Sequence, residues 1–496
     1  MNITAADWWV IAVYLVGMIG IGVWCGRNQR TTRDYFLGSR DVPWWGVGLS
    51  IVATETSALT FIGIPALAYG EDLAFLQIVI GYVLARILLA VYLVPHYFRG
   101  EIYSPYQLLT QRFGTSAGRL AGGFFLVSGT LAAGVRVYVT CIPIQLMMGT
   151  PILLAIVLFV GLSLVYTYVG GIKAVIWTDA IQFVLFVAGG LFALAYIPSM
   201  VEGGWSGALA RAGAAGKTHW LHPHFSWSLP FNLWMGLLGA TVQVLSSHGA
   251  DQLIVQRVLT CKSVTDGRRA LFLSAVIILP LFAVFLFTGL LLWAYYQQHP
   301  LAIPLPANAA GLKQNDYIFP IFILTVVPNI FKGFLIVAIL SAAMSSVSSA
   351  LSALASVSTM DFCRGGRWGG RSADDEFRLS RRLTLFWAAM LVLVAYASRE
   401  VTLVLHWAFS LNGLTSGAML GGVVLAVVSR PGPARPVIWG MAASLAVMLV
   451  IEVWGSGRIA WPWFTLIGTL ITLAVAALLG CRWRVIANQS PATMLR

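Results

Sequence analysis

Long apolar stretches recur along the whole chain of 496 residues, separated by short polar loops. A helix of roughly 20 residues crosses a hydrocarbon core of about 30 Å, so each stretch can span a bilayer. The pattern predicts an all-α polytopic membrane protein of about thirteen transmembrane helices. The approximate limits of these spans are 7–25, 44–70, 73–98, 119–148, 151–170, 172–199, 230–258, 270–297, 330–360, 381–399, 401–429, 434–455 and 460–480.

Two of these stretches look interrupted, and they hold matching positions in two halves of the chain. Span two contains "FIGIPALAYG" and span seven contains "SSHGADQ". Weak or broken spans at corresponding positions favour two inverted five-helix repeats with broken first helices and a binding site between them. The simpler alternative is that Gly and Pro are common in membrane helices. We expect one transporter domain over 1–496, with an extra helix at 7–25, repeats at 44–199 and 230–429, and two last helices at 434–480.

Charge supports this picture. Hydrophobic residues make up 59% of the chain and charged ones 10%, whereas soluble proteins carry about 25% charged residues. The surplus of 31 Lys and Arg over 18 Asp and Glu lies in alternate short loops, which is a topology signal and not a nucleic-acid surface. These basic loops predict a protein of the plasma or inner membrane, with its N-terminus outside and its C-terminus in the cytoplasm. The five cysteines form no CxxC pair, and the first apolar stretch lacks the basic start of a signal peptide.

A carboxylate and several hydroxyls lie in the middle of span two. Glu55 is flanked by Thr54, Thr56 and Ser57, with Thr60 shortly after. A charge at the bilayer centre costs roughly 2.5–3.5 kcal/mol on insertion scales, so such a residue normally faces protein or a watery cavity. The segment is therefore predicted to line a transport cavity.

Span nine carries a stripe of serines at helical spacing. Small residues at such spacing let helices pack closely, and this explains most of the stripe. The adjacent pair Ser345 and Ser346 fits packing less well. Hydroxyls of this kind, together with carbonyls freed by an unwound helix, suit sodium.

Three further charged residues fall inside spans. Asp179 could be protonated, neutralised by a cation, or held in a structural salt bridge. Arg86 and Arg136 could each pair with Glu55 or Asp179; Arg136, among small residues, could instead bind an anionic solute, and Arg86 could reach the cytoplasmic face.

The end of span seven adds further polar residues. Ser247 and His248 could line a cavity, and Asp251 is expected to pair with Arg257 near the cytoplasmic end. The sequence contains no Walker loop, nucleophile elbow or metal cluster, so an enzyme is not expected.

Four stretches resemble the sodium:solute symporter family, whose members carry sugars, proline, pantothenate, sialic acid and monocarboxylates. They are "ATETSALTFIG", "GGIKAVIWTDAIQ", "GADQLIVQRVLT" and "AAMSSVSSALSALASVSTMDF", in order along nearly the whole chain. The resemblance implies inverted repeats and alternating access driven by sodium. It also implies a main sodium site at Ala53, Thr56, Ala342, Ser345 and Ser346, and a second site at Asp179 as some members have. The solute ligands it implies are Glu55, Ser57, Thr60, Arg136 and Ser247.

The expected function is sodium-driven symport of a small organic solute, a carboxylate, zwitterion or sugar, by a monomer in the lipid bilayer. The arginine at position 136 resembles the carboxylate-binding one of the sialic-acid branch, whereas Glu55 stands where relatives often have a neutral residue. A carboxylate there would repel an acid unless Arg136 neutralises it. Alternatives are a proton-coupled transporter of the same architecture and, less favoured, a membrane solute sensor.

Overall fold

The computed structural model describes residues 4–27, 29–148, 150–229, 231–306, 314–364, 372–399, 402–454 and 458–482. All regular secondary-structure elements of these residues are helices, and these residues contain no β-strand. The first helices are α1 Ala5–Gly26, α2 Thr32–Leu37, α3 Trp44–Glu55, α4 Ala58–Gly70, α5 Phe75–Leu88, α6 Val94–Tyr97, α7 Tyr106–Phe113, α8 Thr115–Met148, α9 Ile152–Tyr196 and α10 Gly204–Ala214. The remainder are α11 Thr241–Gly249, α12 Gln252–Val258, α13 Val264–Tyr296, α14 Ile318–Thr325, α15 Phe331–Val357, α16 Ala373–Ala397, α17 Thr402–Val428, α18 Arg435–Trp454 and α19 Pro462–Leu478.

Both helices that were predicted to be interrupted are broken, but in span two the break precedes "FIGIPALAYG", which is helical within α4. Thr56 and Ser57 have extended backbone between α3 and α4, and the two half-helices are bent by 56°. Asp251 is extended between α11 and α12, and its side chain accepts a hydrogen bond from the N–H of Leu253, which caps α12. Each break leaves helix-end carbonyls without intrahelical partners.

A third interruption lies in α9, which joins two of the predicted spans. Gly171 has φ 53° and ψ −154°, a conformation that L side chains rarely adopt. A Cβ atom there would also lie 2.6 Å from the carbonyl oxygen of Tyr35. The predicted boundary between 170 and 172 thus coincides with a backbone kink.

The count of thirteen spans is not confirmed. Among the described residues, eight helices are long and apolar enough to cross a membrane, or nine if α3 and α4 form one bent span. Two further apolar segments contain fewer than 18 residues: Pro462–Leu478, and Gly413–Val428, which is the last part of the 27-residue α17. Helix α9 is counted once despite its kink, so the difference arises mainly from how broken and partly counted helices are treated.

Helix α15 lies at the centre of the structure. In the most apolar segment of α15, 83% of the residues are buried inside the protein, against 22% in that of α1. Helix α15 packs against α1, α3, α8 and α9. Its small Ala and Ser side chains allow this close approach, so most groups on α15 face protein and not lipid.

Replacing Gly171 with Ala should destabilise the protein by about 2 kcal/mol or more, because the new Cβ combines left-handed strain with a backbone clash. The midpoint of thermal unfolding in detergent should fall. Gly161→Ala is the matched control on the same helix, since nothing lies within 4 Å of its Cβ position. Equal midpoints for the two variants would contradict this account of the kink.

Candidate functional site

The break between α3 and α4 faces the serine pair of α15. Ser345 Oγ lies 3.0 Å from the carbonyl oxygen of Ala53 and 2.9 Å from that of Ala342. Ser346 Oγ lies 3.4 Å from the same Ala342 oxygen. Thr56 is buried beside them at the break, with its hydroxyl donating to the carbonyl of Val52 at 2.6 Å. The structure thus brings neutral oxygens from two helices together.

The hydroxyl of Ser345 is shared between two acceptors in this cluster. The Ser345 hydroxyl carries one hydrogen and faces two carbonyl oxygens, so it can satisfy one of them at a time. Carbonyls of unwound membrane helices are the groups that hold sodium in transporters with this kind of break. The arrangement can therefore accept a small cation with little rearrangement.

A pocket adjoins the cluster. Ser346 belongs to both, and Ser57 and Arg136 lie on other walls of the pocket. The remaining lining residues are Ala133, Val137, Thr140, Phe159, Ala343 and Val347. Apolar walls with a few polar groups are typical of small-molecule sites.

Arg136 gives the pocket its charge. Within the described part of the chain, no carboxylate lies within ion-pair distance of its guanidinium and no hydrogen-bond acceptor is in reach. Arg136 is partly buried, so little solvent stabilises its charge, and an anionic ligand in the pocket would pair with it.

Glu55 does not pair with Arg136. Its Oε2 contacts Nη2 of Arg86 on α5, and His248 Nε2 lies 3.7 Å from the same oxygen. Arg86 is completely buried, and its Nη1 donates to the carbonyl of Tyr82 at 2.8 Å. The expectation that Arg86 reaches the cytoplasmic face is therefore wrong, because its span places it beside the helix break.

Asp179 is in a buried ion pair. Its Oδ2 lies 2.8 Å from Arg257 Nη2 and accepts from Ser50 Oγ at 2.7 Å. Arg257 also donates to Ser50 and to Ser349, whose hydroxyl in turn donates to the Ser345 carbonyl. Oδ1 of Asp179 is buried without a hydrogen-bond partner among the described residues.

The predicted pairing of Asp251 with Arg257 is therefore wrong. Arg257 lies fully buried in α12, and its guanidinium pairs with Asp179. Asp251 instead caps α12. The short helix after the break turns the arginine of "VQR" into the core, which hydropathy does not reveal.

Two other expected solute ligands are not among the residues that line the pocket. Thr60 lies in the first turn of α4, where its N–H donates to the Ser57 carbonyl at 2.8 Å. Ser247 Oγ lies 2.9 Å from Nδ1 of His248, beside Glu55. Sequence reasoning missed Thr140 and Phe159; Thr140 follows Arg136 by one helical turn, so helical spacing could have found it.

Comparison with known proteins agrees with this architecture. The model of the sodium:solute symporter family matches residues 35–443. The sodium/sialic acid symporter SiaT of Proteus mirabilis is 31% identical over 457 residues, which cover 89% of this chain and 88% of that protein. The sodium/sialic acid symporter NanT of Aliivibrio fischeri is 30% identical, with 94% of this chain and 91% of that protein covered.

A solved structure extends the likeness to three dimensions. A Na+-coupled sialic acid symporter in a substrate-bound outward-open state superposes with a TM-score of 0.88 at 26% identity, over 97% of this chain and 100% of that one. The prediction of an all-helical membrane fold with two inverted repeats is confirmed. The likeness also favours sodium over the proton-coupled and sensor alternatives. The chain therefore belongs to the sodium:solute symporter family, and it is a sodium-driven membrane symporter and not an enzyme.

Proposed function

We propose that this symporter couples sodium entry to uptake of a small organic carboxylate by alternating access. The observation that carries the proposal is Arg136, which forms no ion pair or hydrogen bond with a described residue and lines a pocket that shares Ser346 with the oxygen cluster. Arginine offers carboxylates a planar fork of donors. The two sialic acid symporters that resemble the chain move an acid, which fits this assignment.

The main sodium ion is proposed to bind at Ala53, Thr56, Ala342, Ser345 and Ser346. Carbonyl oxygens at the break and on α15 would supply part of the coordination, and the serine hydroxyls would rotate to offer lone pairs. Because Ser346 also lines the solute pocket, sodium binding would shape one wall of that pocket. Glu55, Thr60 and Ser247 remain candidate solute ligands in a conformation with a wider cavity.

Asp179 is the proposed ligand of a second sodium ion, through its free Oδ1. Arg257 already neutralises this carboxylate, so a second ion would bind more weakly than at an unpaired acid.

The placement in the cell follows from the loop charges. We propose a monomer in the plasma or inner membrane with the N-terminus outside and the C-terminus cytoplasmic. The repeats would cover 44–199 and 230–429, with 7–25 before them and 434–480 behind them.

Ser345→Ala should raise the sodium concentration for half-maximal uptake by about tenfold, because a coordinating oxygen is lost. Ser346→Ala should do the same and also lower solute affinity. The measurement is uptake into proteoliposomes against external sodium. Ser352→Ala, two turns further along α15 and facing Gln256, is the control. Unchanged sodium dependence in both site variants would refute the assignment.

Arg136→Gln should weaken binding of the transported acid by about tenfold to a hundredfold, since a charge-assisted bidentate contact is lost. Arg136→Lys should recover part of the loss by restoring charge without the fork. Thermal stabilisation by a panel of acids, sugars, amino acids and amines, in sodium and in potassium, gives both the solute and its affinity. Arg119→Gln, about 25 Å away along α8, is the control. Full acid binding by Arg136→Gln would remove the carboxylate proposal.

Asp179→Asn should destabilise the protein by about 3–5 kcal/mol, because Arg257 would remain buried without a counter-charge. The double variant Asp179→Asn/Arg257→Gln should regain much of that stability in thermal unfolding. If Asp179 holds a second ion, the folded double variant should also show a lower Hill coefficient for sodium. An unchanged coefficient would leave Asp179 a purely structural residue.

A further inference from the structure

Glu55 lies at the junction of the two proposed binding sites. Two residues before it, the Ala53 carbonyl faces Ser345; two residues after it, Ser57 lines the pocket that contains Arg136. An ionised carboxylate at this junction would attract a nearby sodium ion and repel an acid. The two effects oppose each other in a transporter that must bind both.

Arg86 lies where its charge can neutralise Glu55, and so it can remove the opposition between sodium and the acid. Its guanidinium meets Glu55 in a contact where the arginine side chain is 0% and the glutamate side chain 15% exposed. The bond from Nη1 to the Tyr82 carbonyl, four residues earlier on α5, fixes the orientation of the guanidinium. Nε of Arg86 is buried without a hydrogen-bond partner among the described residues, so its hydrogen-bonding capacity is not fully used there.

A third helix, α11, contributes a residue to the cluster around Glu55 and Arg86. His248 of α11 places Nε2 3.7 Å from Glu55 Oε2, and its Nδ1 lies 2.9 Å from Ser247 Oγ. With a neutral histidine, the cluster of Glu55, Arg86 and His248 has no net charge. The net positive charge of Arg136 is then available to a ligand in the adjoining pocket.

We propose that Arg86 is a positioning residue that neutralises Glu55 and thereby allows sodium and an anionic solute to bind side by side at the broken helix. Arg86 acts through Glu55 and does not itself touch the solute. The part that concerns the acid rests on the function proposed above; the part that concerns sodium does not.

Neutralisation predicts effects of opposite sign on the two ligands. Arg86→Gln leaves Glu55 ionised, so sodium affinity should rise and acid affinity fall, each by about three- to tenfold. Glu55→Gln leaves Arg86 charged, so sodium affinity should fall and acid affinity rise. A residue that merely supports the fold would lower both affinities together when it is replaced.

The experiment uses the full chain at alkaline pH, where Glu55 stays ionised without its partner. Sodium is titrated by thermal stabilisation with no solute present, and the acid is then titrated at saturating sodium. The double variant Glu55→Gln/Arg86→Gln restores neutrality and should bring both affinities back to within about twofold of the wild type, since the uncompensated charge is gone.

The double variant and Glu55→Gln carry the test if Arg86→Gln does not fold. Opposite shifts in the single variants, or the Glu55→Gln shifts alone, followed by recovery in the double variant, support the proposal. Shifts of equal sign for both ligands, or a double variant that does not recover, overturn it. If no acid binds the wild type, the carboxylate function fails, while the sodium titrations still decide the role of Arg86.

Discussion

An interrupted helix inside a membrane leaves carbonyl oxygens that neither water nor lipid can satisfy, and the centre of this protein is organised around that constraint. The backbone at Thr56 and Ser57 leaves the helical path, and the freed carbonyl of Ala53 meets a hydroxyl of α15. Such a contact requires two backbones to approach closely. The run of Ala and Ser on α15 allows it, which explains why this helix lies at the centre of the bundle.

Charge inside the bundle follows a second constraint, because an ionised group there needs a partner. Glu55 has Arg86, and Asp179 has Arg257 with hydroxyls from Ser50 and Thr54 around it. Arg136 differs from both, since it forms no ion pair with a carboxylate among the described residues. Glu55, Arg86, Asp179 and Arg257 thus hold helices together, whereas the charge of Arg136 is available to a ligand.

The first ion pair, Glu55 with Arg86, joins the first broken helix to α5 within one half of the fold and approaches His248 of α11 in the other half. The second, Asp179 with Arg257, joins α9 to α12 just beyond the second break and so connects the two halves. Both are close to the oxygen cluster, the second through Ser349 and Ser345. Sodium bound at the proposed cluster would therefore lie close to both ion pairs.

The sequence by itself determined the membrane class and which two helices are broken, because hydropathy and interrupted apolar patterns are local properties. The contact of Ala53 with the serine pair was expected only from the family resemblance. The sequence also placed Arg136 among residues small enough to leave space beside it. Only the tertiary structure decided which charges meet: Arg86 with Glu55 and Arg257 with Asp179 are separated by 31 and 78 positions along the chain. Local patterns carry no information about such distances, and a short helix after a break turns Arg257 inward where hydropathy suggests a loop. The pairing of Glu55 with Arg86 is therefore a property of helix packing, whereas the presence of a carboxylate in the membrane is a property of the sequence.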